Sequence, residues 1–281
     1  MKIVFVGYNA NGEKCLRALC ERGRRPALVV IPDGVDAGGM RAVAGRRELP
    51  LREVGDIHAL EPELRRMAPD LLVVASYPRL FRASLLAIPR KGELNVHTGA
   101  LPRWRGVHPL NWALIHDDPE MGVTVHYMEE GADSGGIVAQ KTIPVGIEDD
   151  INSMRDKLTT LGAELLADAI DRIADGTVTV SPQDSAAATW APRRRPEQGR
   201  LDWSRPSREV FSLCRALYAP YPNAFGLRGD DIVRVEKVHV SARPGTVLAR
   251  VGRCDYVVAT GDGTIFVRMD SPDLEPGTVL R

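Results

Sequence analysis

The sequence predicts an α/β protein: a doubly wound, mostly parallel sheet flanked by helices, followed by a small β-barrel-like domain. Strand-sized apolar runs such as Lys2 to Val6, Ala27 to Ile31 and Leu71 to Ser76 recur along the first half of the chain. Stretches of helical periodicity separate them, and that alternation predicts a parallel sheet covered by helices. After Ser207 the chain changes to short runs rich in Val and Thr, broken by Gly-containing turns. Short strands at such close spacing predict a small barrel or curled sheet.

The first strand, Lys2 to Val6, leads through a Gly-containing loop, Gly7 to Gly12, into an amphipathic helix, Glu13 to Arg22, and then into Ala27 to Ile31. A helix over Ile57 to Met67 precedes Leu71 to Ser76, and a short helix, Arg82 to Ile88, precedes the strand Glu93 to His97. A helix near His108 to His116 follows, then two strands, Gly122 to Met128 and Gly136 to Val145. The long helix from about Ile151 to Ala174 has Asn152 or Asp150 placed to cap it and Gly176 placed to end it. Residues 177 to 206 carry Pro182, Pro192, Pro196 and Pro206 with little periodicity and read as a linker. A short helix, Arg208 to Leu217, opens the last region, whose turns are expected at Arg228-Gly229-Asp230, Arg243-Pro244-Gly245 and Thr260-Gly261-Asp262-Gly263. The expected domains are therefore a Rossmann-like catalytic domain over 1–176, a linker over 177–206, and a β-rich, OB-like domain over 207–281.

At 281 residues the chain can bury a sizeable core. Its 44% apolar and 26% charged residues are those of an ordinary globular protein and argue against disorder or a fibrous build. The apolar run after Met1 is too short for a signal peptide, and no run reaches the roughly 20 residues of a membrane span, so a cytoplasmic protein without a membrane partner is expected. Cys15, Cys20, Cys214 and Cys254 lack the close pairing of zinc sites and read as reduced structural thiols. The formal net charge is +0, which supplies no global attraction to a polyanion and disfavours nucleic acid as a partner. Only the linker is mildly basic; Arg193 to Arg195 can touch a phosphate, but a solvated surface run is the simpler reading.

The chemistry concentrates in Leu94-Asn95-Val96-His97-Thr98-Gly99-Ala100-Leu101-Pro102-Arg103-Trp104-Arg105-Gly106. Side chains alternate across a strand, so Asn95 and His97 project on one face about 7 Å apart. The carboxyl end of a parallel strand is where open α/β sheets place their ligands. An amide N–H and an imidazolium both donate to an oxyanion, while a neutral imidazole accepts a proton from an attacking amine. This is equipment for acyl transfer. A second element, Gly131-Ala132-Asp133-Ser134-Gly135-Gly136, lies between two expected strands, where backbone freedom lets a carboxylate enter a site. Asp133 is expected to hold the His97 tautomer and to raise its pKa. Alone, either element reads more simply as structure: a satisfied histidine in one case, a turn aspartate in the other.

Together, N-V-H-T-G-A-L-P-R-W-R-G, H-P-L-N-W-A-L-I-H, G-V-T-V-H-Y-M and G-A-D-S-G-G-I-V-A-Q, in that order and spacing, resemble the 10-formyltetrahydrofolate-dependent formyltransferase family. The resemblance covers Asn95 to Gln140 closely and the flanking regions more loosely. It implies an Asn-His-Asp trio at Asn95, His97 and Asp133, with 10-formyltetrahydrofolate as co-substrate and no metal. It also implies a folate pocket formed partly by Tyr77, Arg79, Leu80 and Phe81 and partly by Gly131, Ala132 and Gly135. Leu80 and Phe81 read equally as core residues. Gly99 stands where members commonly have Ser, which removes that hydroxyl from the site.

Within the family the sequence looks closest to enzymes that formylate a primary amine on a nucleotide-linked deoxysugar. That implies Arg103, Arg105 and Arg79 near a diphosphate, with Trp104, Tyr218 or Tyr221 stacking on the base. A methionyl-tRNA enzyme is the first alternative; it is expected to be longer, with a basic insertion, whereas Met40 to Arg47 is short. Hydroxyornithine or another secondary-metabolite amine is the next. A folate- or nucleotide-binding module without turnover is the rival from outside catalysis, although such a module has no need of the trio. Gly7 is followed only by Gly12, without the G-x-G-x-x-G turn of dinucleotide dehydrogenases. A dimer through the C-terminal region is expected by analogy with relatives.

Overall fold

A computed structural model describes residues 1–240, 249–250, 254–260, 262 and 264–270. The chain divides into two compact units. The first comprises Met1–Gly106, Met121–Ile143 and Arg155–Trp190; the second comprises Val107–Glu120, Pro144–Met154 and the chain from Ala191.

The first unit begins β1 (Ile3–Gly7), α1 (Asn9–Glu21), β2 (Leu28–Pro32), α2 (Gly38–Arg46) and β3 (Leu51–Val54). A 3₁₀ turn at Ile57–Leu60 runs into α3 (Glu61–Met67), followed by β4 (Leu71–Ala75), α4 (Ala83–Leu86), β5 (Glu93–His97) and the two-residue β6 (Arg105–Gly106). After α5 (Pro109–Ile115), which belongs to the second unit, the chain forms β7 (Glu120–Tyr127), β8 (Ile137–Pro144) and the long α6 (Ile151–Asp175). Seven strands lie in the order β3-β2-β1-β4-β5-β7-β8. The pairs from β3 through β5 are parallel, and β7 returns antiparallel to β5.

Every residue of β1, β2 and β4 is buried, as expected of strands covered on both faces and written as unbroken apolar runs. Order reverses beside β1, so the carboxyl ends of β1, β4 and β5 frame the crevice where doubly wound sheets bind ligands. Leu94 and Val96 of β5 point to the face covered by α6, where Gly162 lets the helix come close to Val96 and Val123. Glu93, Asn95 and His97 share the opposite face. Asp150 is the residue that caps α6: its Oδ1 accepts from the Asn152 and Ser153 amides at 2.8 and 3.0 Å. Gly176, at φ +71°, ends the helix.

Besides the two-residue strands Arg105–Gly106 and Trp190–Ala191, a helix and an edge strand go beyond the sequence reading. In α2, Gly-Gly-Met-Arg-Ala-Val-Ala-Gly-Arg has three glycines and weak helical preference, and the helix is held by burial of Met40, Val43 and Ala44. In β3 the edge strand exposes Arg52 and Glu53 and has no apolar run to mark it.

The second unit adds β9 (Trp190–Ala191, shared at its first residue with the first unit), α7 (Ser207–Arg215), β10 (Phe225–Arg228), β11 (Asp231–Val240), β12 (Ala249–Arg250), β13 (Asp255–Ala259) and β14 (Thr264–Met269). The last five form an all-antiparallel sheet in the order β10-β11-β14-β13-β12. Arg228 pairs with Asp231 across the expected Gly229-Asp230 turn, with Gly229 at φ +63°. The expected turn at Arg243-Pro244-Gly245 lies outside the described residues, as do Gly261 and Gly263 of the last turn. Arg215, 1% exposed, anchors this unit: its Nη2 donates to Asp117 at 2.8 Å and its Nη1 to the Gly146 and Asp149 carbonyls. Among the described residues, no helix is long and apolar enough to cross a membrane.

Candidate active site

The register of the sheet assembles the site. Asn95 of β5 faces His126 of β7 directly across the antiparallel pair, a position from which side chains on one face touch. The Asn95 Nδ2 donates to His126 Nε2 at 3.3 Å and to Asp133 Oδ1 at 3.2 Å. Both contacts are long for hydrogen bonds of this kind, so the amide is loosely held and open to a better acceptor.

Asp133 arrives from the loop between β7 and β8. Its backbone is left-handed, at φ +51°, a conformation aspartate tolerates better than most residues. The carboxylate Oδ2 accepts from the Gly106 N–H at 2.9 Å, and Oδ1 lies 3.4 Å from His126 Nε2. Burial works against the charged form, but His97, His126 and the Gly106 amide more than offset it and hold the Asp133 carboxyl well below the usual carboxylate range. The loop is shaped by close approach: a Cβ on Gly135 would run into the Tyr127 carbonyl.

His97 is 6% exposed. Its Nε2 lies 2.8 Å from the Trp104 carbonyl, which can only accept, so the ring proton sits on Nε2 and the lone pair of the neutral ring on Nδ1. That Nδ1 lies 3.6 Å from Asp133 Oδ2. Burial pushes the imidazole below its ordinary 6.5, against the pull of Asp133. Asp133 does pull the His97 pKa upward, as expected from the sequence, but desolvation outweighs it and the net shift is downward; the tautomer is set by a backbone carbonyl rather than by the carboxylate. Trp104 presents that carbonyl from a left-handed residue at φ +61°, the kind of backbone strain that persists only where its surroundings fix it.

The arrangement offers a buried base with a free lone pair, a carboxylate beside it to stabilise its protonated form, and a loosely held amide donor on the same strand. Those are the parts that proton removal from an amine and stabilisation of a tetrahedral oxyanion require.

Three participants were not singled out from sequence. His126 sits in the stretch G-V-T-V-H-Y-M, and its pairing with Asn95 emerges only once β5 and β7 are in register. Its Nδ1 faces the Tyr127 carbonyl at 2.7 Å, so Nδ1 carries the proton and Nε2 accepts from Asn95. Gln183, in the segment read as a linker, donates Nε2 to the Asp133 and Gly135 carbonyls at 2.8 and 2.7 Å. Its Oε1 accepts from Arg105 Nε and Nη2 at 3.1 and 2.7 Å. The Trp104 carbonyl, a backbone group, leaves no mark on the sequence at all.

Arg105 is 5% exposed and its guanidinium is engaged with Gln183. Arg103 is exposed and lies over the Trp104 ring, 5.8 Å from its centroid; the ring itself is buried. The Tyr77 hydroxyl accepts from the Ile57 N–H at 2.9 Å, and its ring meets Phe81 edge-on. Phe81 is in the core with Val4, Leu72 and Leu85, Leu80 is exposed, and Arg79 pairs with Asp56 at 3.4 Å. Gly131 is exposed and Ala132 half-buried. In the second unit, Tyr218 is buried with its hydroxyl accepting from the Val238 N–H at 2.8 Å, and Tyr221 lies edge-on to His108. Among the described residues, no three His, Cys, Asp or Glu side chains are grouped to hold a metal ion.

Residues 1–170 match the family described as formyl transferase, and residues 194–272 match its C-terminal domain. The methionyl-tRNA formyltransferase of Citrifermentans bemidjiense is 35% identical over 280 residues, spanning 95% of this chain and 87% of the relative. That of Geobacter sulfurreducens is 33% identical over 281 residues, spanning 95% and 88%. Among solved structures, WlaRD, described as a sugar 3N-formyl transferase in the presence of dTDP and 5-N-formyl-THF, aligns over 96% of this chain and 98% of its own with a TM-score of 0.77. At 16% identity that likeness is one of fold. With both halves of the chain matched and full-length relatives above 30% identity, the chain belongs to the formyl transferase family.

Proposed function

We propose that this enzyme transfers the formyl group of 10-formyltetrahydrofolate to the α-amino group of methionyl-tRNA, with Asn95, His97 and Asp133 performing the transfer. The observation that carries the chemistry is the convergence of an ionised Asp133 and the Asn95 amide around the Nδ1 side of a neutral His97. Asn95 releases one of its long hydrogen bonds to the oxyanion formed when the amine adds to the formyl carbon. His97 Nδ1 takes the amine proton, and the imidazolium is held between Asp133 and the Trp104 carbonyl until the folate nitrogen leaves with a proton. The folate is expected against Tyr77, Arg79 and Leu80 and the Gly131 to Gly135 loop, with Phe81 buried in the core behind Tyr77 rather than in contact with the folate.

The acceptor reading rests on the methionyl-tRNA formyltransferases that align along 95% of the chain, and it displaces the nucleotide-linked amino sugar favoured by sequence alone. A formal net charge of +0 gives no general pull toward RNA, and it keeps the amino-sugar nucleotide as the second reading. Incubation with 10-formyltetrahydrofolate and either methionyl-tRNA, amino-sugar nucleotides or hydroxyornithine, followed by mass spectrometry for the added formyl group, separates them. Transfer to the charged tRNA is expected; transfer confined to an amino sugar or hydroxyornithine rejects this acceptor, and transfer to none rejects all three.

A further inference from the structure

The second unit carries a cationic and aromatic cluster that the transfer chemistry leaves unused. The Val107 N–H donates to the Ala191 carbonyl at 2.8 Å, and the pairing continues as the Arg194 N–H donates to His108 Nδ1 at 3.1 Å. An amide can only donate, so His108 Nδ1 is the accepting nitrogen and the ring proton lies on Nε2. That N–H has no partner among the described residues. Burial, and then Arg193 and Arg194, push the His108 imidazole below its ordinary value, in keeping with the neutral ring.

Arg194 is half-buried over the Trp112 ring, its guanidinium carbon 5.8 Å from the centroid. Its Nε is buried without an acceptor, and among the described residues no carboxylate lies within ion-pair distance of it. A partly desolvated guanidinium without a counter-charge is costly unless an anion completes it. The rings are fixed: Trp112 Nε1 donates to the Pro192 carbonyl at 2.8 Å, and Tyr221 meets His108 edge-on at 6.3 Å. Arg193 stands exposed beside them.

We propose that Arg194, Arg193 and His108, walled by Trp112 and Tyr221, form a recognition site for an organic phosphate. Two guanidinium groups and an imidazole N–H suit an oxyanion bound from several directions, and the aromatic walls suit a base attached to it. A nucleoside diphosphate and an RNA backbone share this chemistry, so the site does not depend on which amine is formylated.

Titration calorimetry on the full chain with pyrophosphate, dTDP and an acceptor-stem RNA tests it. Pyrophosphate is expected to bind, at least tenfold more weakly to Arg194→Leu and severalfold more weakly to His108→Ala. Arg194→Lys, which keeps charge without the planar fork, is expected between wild type and Arg194→Leu. Circular dichroism and thermal melting confirm that each variant is folded. RNA binding that depends on Arg194 assigns the site to RNA, and the same dependence confined to dTDP assigns it to a nucleotide; either supports the site. Pyrophosphate binding that is absent from wild type, unchanged in Arg194→Leu, or matched by succinate overturns it. Arg194-dependent pyrophosphate binding without RNA binding or tRNA formylation rejects the tRNA acceptor and leaves the site standing.

Discussion

Replacing Gln183 tests how the carboxylate is held. Gln183 donates to the Asp133 and Gly135 carbonyls and accepts two bonds from the buried Arg105. A neutral hydrogen bond contributes about 1 kcal/mol net and one to a charged group about 1.5–3 kcal/mol. Gln183 is half-exposed, so water recovers part of the sum, and Gln183→Leu is expected to cost roughly 2–4 kcal/mol in chemical denaturation. Because the loop carbonyls lose their donor, Asp133 loses its position beside His97, and single-turnover formyl transfer is expected to fall by about 10–100-fold. Gln183→Glu separates the two roles. It keeps and strengthens the acceptors for Arg105 but places a carboxylate oxygen against two carbonyls, so part of the stability returns and little of the rate. A Gln183→Leu protein within about 0.5 kcal/mol of wild type, turning over at an unchanged rate, would refute this support role.

Burial holds neutral His97 below 6.5, so the acid limb of the single-turnover rate is expected below pH 6.5; a limb above that value contradicts the neutral, desolvated ring. The same depressed pKa means the unfolded chain binds the proton first, so His97 costs stability as pH falls below about 6.5, and His97→Gln is expected to lessen that loss in pH-dependent melting. Glu93 is 2% exposed, its Oε1 lacks a partner, and burial pushes its carboxyl up to about 8. A raised folded value means stability is full below about 4.5 and declines up to about pH 8, so Glu93→Gln is expected to gain on the order of 2–3 kcal/mol at pH 7 and nothing at pH 4. Asp117→Ala, which strips Arg215 of its carboxylate, is expected to cost about 3–5 kcal/mol on denaturation.

What the sequence shows of this molecule follows from where its information is local. β5 is legible at Glu93–His97 because apolar and polar residues alternate there, and α6 because its periodicity runs with Asp150 and Gly176 as punctuation at its ends. α2 and β3 are not legible, one being glycine-rich and the other polar, and both depend on neighbours for their order. In the site, Asn95, His97 and Asp133 stand out through their motif. His126 needs the β5 and β7 register, Gln183 reaches Asp133 from 50 residues away, and the Trp104 carbonyl belongs to a group every residue possesses. The His97 shift escapes for another reason: the strength of desolvation depends on packing, which residue spacing does not reveal.

The most direct test is a double-mutant cycle on the single-turnover rate of formyl transfer, using Asn95→Ala, Asp133→Asn and the pair together. If Asn95 and Asp133 serve one carbonyl carbon through His97, each single change is expected to slow transfer by about 10²–10³-fold, with the pair only slightly slower than the worse single. Losses that multiply, or a single variant that keeps nearly the full rate, would show that the side chains do not converge on one reacting atom.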